Sequence, residues 1–468
     1  MRNKGKFFVF IFIFSLKASF SYSQICFSNG MQAADFAVKN SVLFQLQEEN
    51  IAMAMKSAKY DLVQFLPSFD FSWSEDDGVN FDSLDSSSKS VSIGLNQILF
   101  DGGKRLLSYE MNRTDAYYSK LSYQQNVLSF KMQIISLYYQ CLLQKELIKI
   151  KEELESNAKS QIEVLKTEYE IGRALENDYL EYLISYKQIQ NETKKARREL
   201  DSCLRQFNVA LNLPVECKVE FCETLSAYNE CVTEPVCLEK IIDKLWARFC
   251  LNNIDIKKEN LAIEYAKKQK NYSEKFYLPE IYMNANVSLN GKDYPLTEPN
   301  YSIKFNVNFP NAKVLPVNYS NGYSISKNEL SGLNNNSSLS LKPDVKSVYE
   351  RKNSEISLQM QVEQKKENMD SLYESFFNQI TSYDDSLDSI QLLKETLEIQ
   401  ERRLEISEQQ LNVGKMTRID FLQEMTDLAT KKIELISSQV ALLQSKYKLE
   451  ILLNIPFGGL ENACKKYY

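Results

Sequence analysis

The chain contains one structural unit twice, and this internal duplication constrains the fold more than any other feature of the sequence. The segment IGRALENDYLE at residues 171–181 aligns without gaps with VGKMTRIDFLQ at residues 413–423. The same offset relates LNLP at residues 211–214 to LNIP at residues 453–456. Each copy therefore predicts the same order of elements, namely a helix, two strands, a very long helix, a glycine turn and a further helix.

The duplication divides the chain into five parts. The first residues are typical of a secretory signal peptide, because Arg2, Lys4 and Lys6 precede a short apolar run. That run is about half of the ~20 residues that a membrane-spanning helix needs. An Asn- and Ser-rich stretch at about 311–345 makes the second copy longer, and we interpret it as an inserted polar loop without a packed core. The predicted parts are a signal peptide at 1–23, a first repeat at 24–214, a Cys-rich linker at 215–236, a second repeat at 237–457 that holds the insertion, and a C-terminal tail at 458–468.

Four segments alternate between apolar and polar residues, which is the period of a β-strand. Each has roughly the 9–11 residues that a tilted strand needs to cross a bilayer. A soluble antiparallel sheet with one solvated face has the same alternation. Four strands leave two unpaired edges, which lipid does not tolerate, so the membrane interpretation requires an oligomer. The apolar residues are Phe69, Phe71 and Trp73; Val91, Ile93 and Leu95; Ile281, Met283, Ala285, Val287 and Leu289; and Tyr301, Ile303, Phe305, Val307 and Phe309.

Long helices are predicted after the strands. Between Gly103 and Ile171 there is neither proline nor glycine, the residues that most often interrupt a helix. At 1.5 Å per residue such a helix is about 100 Å long. The last helix has two apolar rows with a seven-residue period, which allow it to pack against neighbours on both sides. These rows are Phe421, Leu428, Leu435, Leu442 and Leu449, and Ile433, Val440 and Tyr447.

The composition argues against nucleic-acid binding and against most enzymes. The chain has 56 Lys and Arg residues against 62 Asp and Glu residues, a formal net charge of −6, whereas phosphate contacts need a basic surface. It contains no histidine, which excludes Ser-His-Asp and Cys-His catalytic groups and imidazole metal ligands. We therefore predict no catalytic activity, no cofactor, no metal site and no nucleic-acid partner.

Four of the nine cysteines lie between Cys217 and Cys237. In an exported protein this cluster favours one or two local disulfides, because the compartment is oxidising and the spacing does not match a structural zinc site. Cys26, close behind the signal peptide, leaves a lipidated N-terminus as an alternative.

The sequence resembles the TolC-like outer-membrane efflux and secretion channel proteins over essentially its whole mature length. The resemblance is carried by the duplicated plan, the LPSF strand opening, QILFDGGKR at the second strand, and the paired Gly-x5-Asp-[Tyr/Phe]-Leu turns followed by LNLP and LNIP. It implies an α+β membrane protein with internal duplication and mostly long α-helices that form a periplasmic helical barrel. Each of three chains would contribute four transmembrane β-strands to one 12-stranded β-barrel in the outer membrane.

The resemblance also implies functional positions. The two glycine turns correspond to helical hairpin tips, where a periplasmic adaptor docks. Asp420 matches an aspartate that lines the narrow periplasmic mouth, and Asp178 matches it in the first copy. Turn geometry alone also explains the glycines, and a tip salt bridge or a helix N-cap also explains Asp178. The candidate gate residues are thus Asp420 and Asp178, and the candidate docking residues are Gly172, Arg173, Gly414, Lys415 and Met416.

We therefore expect an exit duct of a tripartite efflux or type I secretion system, with no chemistry of its own. Its expected partners are two further copies of itself in the lipid bilayer, a periplasmic adaptor (membrane fusion protein), and an inner-membrane transporter of the RND, ABC or MFS type. A structural periplasmic coiled-coil rod or adhesin without a pore is the alternative; it explains the heptads but not the strands.

Overall fold

The structure, a computed structural model, describes residues 25–78, 86–222, 242–312, 315–326, 329–339, 345–455 and 459–460. The predicted signal peptide at 1–23 lies outside the described residues, as do most of the linker at 215–236 and most of the tail at 458–468. The domain boundaries predicted from the sequence stay predictions.

The two halves of the chain contain helices of matching length. The first long helix has 67 residues and its counterpart has 68, and the helices that follow them have 35 residues each. This agreement confirms the internal duplication. In chain order the elements are β1 (Ile25–Phe27), α1 (Gly30–Asn40), α2 (Val42–Tyr60), β2 (Ser68–Gly78), β3 (Ser86–Phe100), α3 (Lys104–Glu170), α4 (Glu176–Ala210), β4 (Val219–Phe221), α5 (Ile242–Asn252), α6 (Ile254–Glu274), β5 (Glu280–Gly291), β6 (Glu298–Ala312), β7 (Leu315–Ser326), β8 (Glu329–Leu339), α7 (Val345–Asn412) and α8 (Arg418–Leu452).

Asparagine ends both of the 35-residue helices, at the repeated LNLP and LNIP motifs. Asn212 and Asn454 have φ angles of 58° and 51°, a left-handed conformation that asparagine tolerates better than most residues. The following residues, Leu213 and Ile455, donate their backbone N–H groups to carbonyls five positions earlier, at 2.9 and 2.8 Å. The repeated motif is therefore a helix-ending signal of the Schellman type.

Six strands form one antiparallel sheet in the order β2-β3-β5-β6-β7-β8. The first four contain the segments that the sequence predicted, so the predicted strands are confirmed. Their apolar residues lie on one face; for example, Phe71 is paired with Ile93, and Ile93 with Val287. A second, two-stranded sheet pairs β1 with β4 in parallel.

The stretch at 311–345 corrects the sequence analysis, which interpreted it as a polar loop. Most of it forms β7 and β8, which extend the sheet beyond β6, so that the described sheet has six strands and not the four predicted. The physical reason lies in β7, where Tyr319, Tyr323 and Ile325 recur with a period of two among Ser, Asn and Gly. The high content of Asn and Ser concealed this alternation.

The chain divides into two compact units, each described here by itself. The first comprises the described residues of 1–40, 131–234 and 389–444. Its core includes the fully buried side chains Tyr138, Tyr139 and Phe207. The second unit comprises the described residues of 41–130, 235–388 and 445–468, and it contains the six-stranded sheet and an aromatic cluster of Trp246, Phe249 and Phe376.

The cysteine pairing differs from the local cluster that the spacing favoured. Cys222 is bonded to Cys26, across the β1–β4 sheet, and Cys141 on α3 is bonded to Cys203 on α4. Cys217 forms no disulfide, while Cys231 and Cys237 lie outside the described residues. Residues distant in sequence are brought together by the helix pair, which cysteine spacing alone does not reveal.

Within the described ranges, no helix combines the length and the apolar character that a bilayer crossing requires.

Candidate functional site at the helical tips

The two glycine turns predicted as tips have the same backbone geometry. Gly172 joins α3 to α4 with a φ of +76°, and Gly414 joins α7 to α8 with a φ of +72°. Each ends its long helix with a Schellman pair: Arg173 N–H donates to the Glu168 carbonyl at 2.7 Å, and Lys415 N–H donates to the Gln410 carbonyl at 2.9 Å. The positive φ by itself explains why glycine stands at both positions.

Exposed apolar side chains flank these turns. Ile171 and Val413, each directly before its glycine, expose 59% and 68% of their surface, and Leu175 exposes 71%. Sequence reasoning did not select these residues, although the alignment of the two copies places Ile171 opposite Val413. An exposed apolar residue at the equivalent position of both turns, with Leu175 beside the first, indicates a binding surface.

A hydrophobic cluster supports the tips from within the same unit. It is formed by residues of α3, α4 and α8, and Met416 packs against it while partly buried. Met416, predicted as a docking residue, thus also helps to hold the second turn in place. The buried members are Ala158, Ile162, Leu165, Tyr182, Ile189, Phe421, Leu422 and Met425.

Tyr182 carries the polar atom at the centre of this cluster. Its hydroxyl donates to the Ala158 carbonyl at 3.3 Å. Burial raises the pKa of Tyr182, with a small opposing effect of Arg418, so the phenol stays neutral in ordinary conditions.

Arg418, the first residue of α8, is bound to α3 by three hydrogen bonds. Its Nη2 and Nε atoms lie 2.7 and 3.0 Å from the two carboxylate oxygens of Glu168, and its Nη1 lies 2.6 Å from Gln161 Oε1. The hydrogen bond from Arg418 lowers the pKa of Glu168 below its usual range, and the same bond raises the pKa of the guanidinium. This bidentate pair fastens the second hairpin to the first.

The sequence analysis did not identify the Arg418–Glu168 pair, although the alignment of the two repeats contains an indication of it. Arg418 stands where the first copy has Glu176, so the charge is reversed between the two copies. Such a reversal at equivalent positions indicates that the two positions have different partners.

The predicted gate residues occupy different surroundings. Asp420 lies in the first turn of α8, where its carboxylate accepts from the Thr417 hydroxyl at 2.6 Å, and the Thr417 oxygen accepts from the Asp420 N–H at 3.1 Å. Thr417 is therefore the N-cap of α8, and its hydroxyl is also bonded to the Asp420 carboxylate. Asp178 lies in the first turn of α4, where a negative charge is favoured by the helix dipole. Both carboxylates are exposed.

A cleft of about 320 Å³ lies between the two tips. The structure brings Arg173, Asp178, Gly414 and Met416 of the predicted site residues to this cleft, together with Glu168 and Arg418. Asp420 is bound instead to Thr417, and Lys415 and Gly172 lie exposed at the turns. The cleft is lined by acidic, basic and apolar side chains, a combination that is typical of a surface that binds another protein.

Solved structures with this fold are outer-membrane channels. The Campylobacter jejuni CmeC outer membrane channel matches with a TM-score of 0.70 at 11% identity, covering 94% of this chain and 89% of that one. The Vibrio cholerae outer membrane protein VceC matches with a TM-score of 0.70 at 12% identity, covering 91% and 94%. The open state of the Neisseria gonorrhoeae MtrE outer membrane channel matches with a TM-score of 0.69 at 12% identity, covering 92% and 89%. The fold is thus that of the TolC-like outer-membrane channels.

The sequence of the first half leads to the same class. Residues 37–212 match the model of the outer membrane efflux protein family, whereas no curated protein sequence matches. This match covers less than half of the chain, and together with the fold it shows that the chain resembles the outer membrane efflux proteins.

Proposed function

We propose that this chain forms an outer-membrane channel, which works as a homotrimer and as the exit duct of a tripartite efflux or type I secretion system. An inner-membrane transporter of the RND, ABC or MFS type supplies the energy, and a periplasmic adaptor docks on the two tips. The observation that carries the proposal is the pair of tip turns with exposed Ile171 and Val413, each followed by a basic residue after the glycine.

The chemistry of the tips supports a protein partner. Exposed apolar residues rimmed by charge are typical of protein interfaces, and the rigid Schellman turns hold Ile171 and Val413 in fixed positions. A preorganised surface loses little conformational entropy on binding. Arg173 and Lys415 add a positive charge beside each apolar residue, which favours an adaptor end with acidic groups at its rim.

The carboxylates at the tips are proposed as parts of the gate. Asp178 and Asp420 are exposed and lie in the first turns of α4 and α8. Threefold repetition in a homotrimer brings equivalent carboxylates around one axis, where they attract cations. What supports this role is their place at the tips and their solvent exposure.

The test combines a cellular and a biochemical measurement. Deletion of the gene should cause hypersensitivity to exported compounds, and the wild-type chain should restore resistance and migrate as a heat-sensitive trimer in outer-membrane fractions. Ile171→Asp and Val413→Asp together should abolish co-purification of adaptor and transporter, while Ile171→Leu with Val413→Leu should retain it. A monomeric chain that co-purifies with neither protein would favour the rod or adhesin alternative.

A further inference from the structure

The two edges of the six-stranded sheet are free along their whole length in the described structure. Strand β2 is paired with β3 alone, and β8 is paired with β7 alone. Both edge strands have 11 residues, so their backbone groups present matched rows of donors and acceptors. Lipid does not tolerate such rows unpaired, because each unsatisfied group costs several kcal/mol in hydrocarbon.

The direction of the edge strands permits them to pair with each other in neighbouring copies. Every neighbouring pair in the sheet is antiparallel, and six is an even number, so β2 and β8 run in opposite directions. When copies are arranged head to tail around an axis, β8 of one copy meets β2 of the next in the antiparallel orientation. The ring then closes without a leftover edge.

The added strand β7 continues the apolar face of the four predicted strands. One row of paired residues crosses five strands, and each of its side chains is large, apolar and 41–72% exposed in the single chain. The adjacent polar row on the opposite face consists of serine and asparagine. A hairpin that lay outside the membrane would not need to continue both the apolar face and the polar face of the sheet. The apolar row is Phe71, Ile93, Val287, Tyr301 and Ile325, and the polar row is Ser72, Ser92, Ser288 and Asn300; Ser324, paired with Ser302, continues the polar face on β7.

Strand β8 is more polar than the others, with exposed Asn335, Asn336, Ser337 and Ser338 at its centre. A polar edge facing lipid requires cover. Bulky side chains on a neighbouring strand reach the directly opposite and diagonal positions. The exposed aromatic side chains of β2, Phe69, Phe71 and Trp73, are suited to provide that cover.

From these relationships we infer that β8 pairs with β2 of a second copy, so that three chains close an 18-stranded barrel in place of a 12-stranded one. The inference rests on the proposed trimeric duct. Barrel diameter grows roughly linearly with strand number, so this barrel is about half again as wide as one with 12 strands. Barrels of 16–18 strands enclose an aqueous channel, so the membrane portion gives bulky solutes a wide exit.

Cysteine cross-linking in outer membranes tests the pairing. Ser72→Cys or Ser74→Cys on the polar face of β2 is combined with Asn336→Cys or Ser338→Cys on the polar face of β8, in a scan that covers the unknown register. At least one pair should give covalent dimers and trimers on a non-reducing gel. Asn335→Cys and Ser337→Cys are the matched controls, because they lie on the opposite face of β8 and should not cross-link to the same β2 positions. The wild-type chain controls for the native cysteines.

The competing arrangement, in which β2 pairs with β6 of the next chain, is detected by a different cross-link. Lys304→Cys on the polar face of β6 should cross-link to Ser72→Cys or Ser74→Cys only if the hairpin of β7 and β8 is displaced. A heat-sensitive trimer cross-linked through Lys304→Cys, or an electron microscopy map with 12 strands, would overturn the inference and leave the duct intact. Absence of any trimer would overturn the proposed function as well.

Discussion

Arg418 and Glu168 join two hairpins through a bidentate salt bridge although 250 residues separate them in sequence. The shorter of the two contacts is 2.7 Å, and the guanidinium is about four-fifths shielded from solvent, with 19% of its side chain exposed. A further hydrogen bond joins the guanidinium to Gln161, so Arg418 is bound to two residues of α3 beside the tip cleft. The relative position of the two tips therefore depends on a contact between α3 of the first sequence repeat and α8 of the second.

Arg418→Ala should loosen the tips and stabilise an open channel. Hydrogen bonds to charged groups contribute roughly 1.5–3 kcal/mol each, and partial exposure reduces that value here to about 1–2 kcal/mol in all. We expect a lower melting temperature and a higher single-channel conductance in planar bilayers. Arg402→Ala is the control, because Arg402 pairs with Glu405 on one exposed helix surface and should change neither quantity appreciably. Unchanged conductance in the Arg418 variant would contradict a role of this contact in holding the tips together.

The contact between Arg418 and Glu168 also predicts that the stability of the folded protein depends on pH. Because the hydrogen bond from Arg418 lowers the pKa of Glu168 from its ordinary 4.5, the carboxylate is ionised above that value in both the folded and the unfolded state. Its stabilising contribution is therefore complete above about pH 4.5 and is lost as the pH falls through the lowered pKa of the folded state. Melting temperatures of the wild type and of Glu168→Gln, measured between pH 3 and 7, should converge at the acidic end. A constant difference over the whole range would show that the carboxylate charge is not what stabilises the tip.

Periodic features of the sequence predicted much of this fold. The alternation around Phe71, Ile93, Val287 and Tyr301 gave the first four strands, because a period of two is a local property. The glycine turns at Gly172 and Gly414 could be located because only a few residue types tolerate a positive φ.

Contacts between distant residues could not be predicted in the same way. Arg418 gives no local indication that its partner is Glu168, and Cys26 gives none for Cys222, because the packing of elements decides both. The β7–β8 hairpin was not predicted, for another reason. The high content of Asn and Ser around residues 331–338 indicated a polar loop and concealed the alternation of Tyr319, Tyr323 and Ile325.

Substitutions of the tip glycines separate turn geometry from partner contact. Gly172→Ala and Gly414→Ala should each cost about 1 kcal/mol, because the left-handed conformation is unfavourable for alanine, although a Cβ atom would meet no neighbour within 4 Å. Gly172→Asn should recover most of the melting temperature, since this chain itself uses Asn212 and Asn454 at helix ends with similar φ. Adaptor co-purification should follow stability in this series. Loss of the adaptor with Gly172→Asn at normal stability would instead show direct contact at the glycine.

The disulfide between Cys141 and Cys203 should stabilise the helix pair that leads to the first tip. Both cysteines are buried, and the bond closes a loop with a sequence separation of 62, for which chain entropy alone gives roughly 4 kcal/mol as an upper value. Cys141→Ala with Cys203→Ala should lower the melting temperature and reduce its sensitivity to reductant, with the Cys26–Cys222 disulfide left in place. Cys250→Ala is the control, because Cys250 forms no disulfide. Equal melting temperatures for the wild type with and without reductant would contradict a stabilising role of the bond.

Asp420 can be examined as a gate residue independently of its hydrogen bonds to the N-cap residue Thr417. Asp420→Asn keeps an oxygen that can accept from the Thr417 hydroxyl but removes the charge, whereas Thr417→Ala removes the cap, at a cost of about 1 kcal/mol, and keeps the charge. If carboxylates around the threefold axis attract cations, Asp420→Asn should reduce the cation preference of single channels with little change in melting temperature. Thr417→Ala should do the reverse and lower the melting temperature while the cation preference is preserved. Asp178→Asn, measured beside them, reports whether the first copy contributes to the same selectivity. Identical reversal potentials in a salt gradient for the wild type and Asp420→Asn would restrict Asp420 to helix capping, since only the charge differs between the two channels.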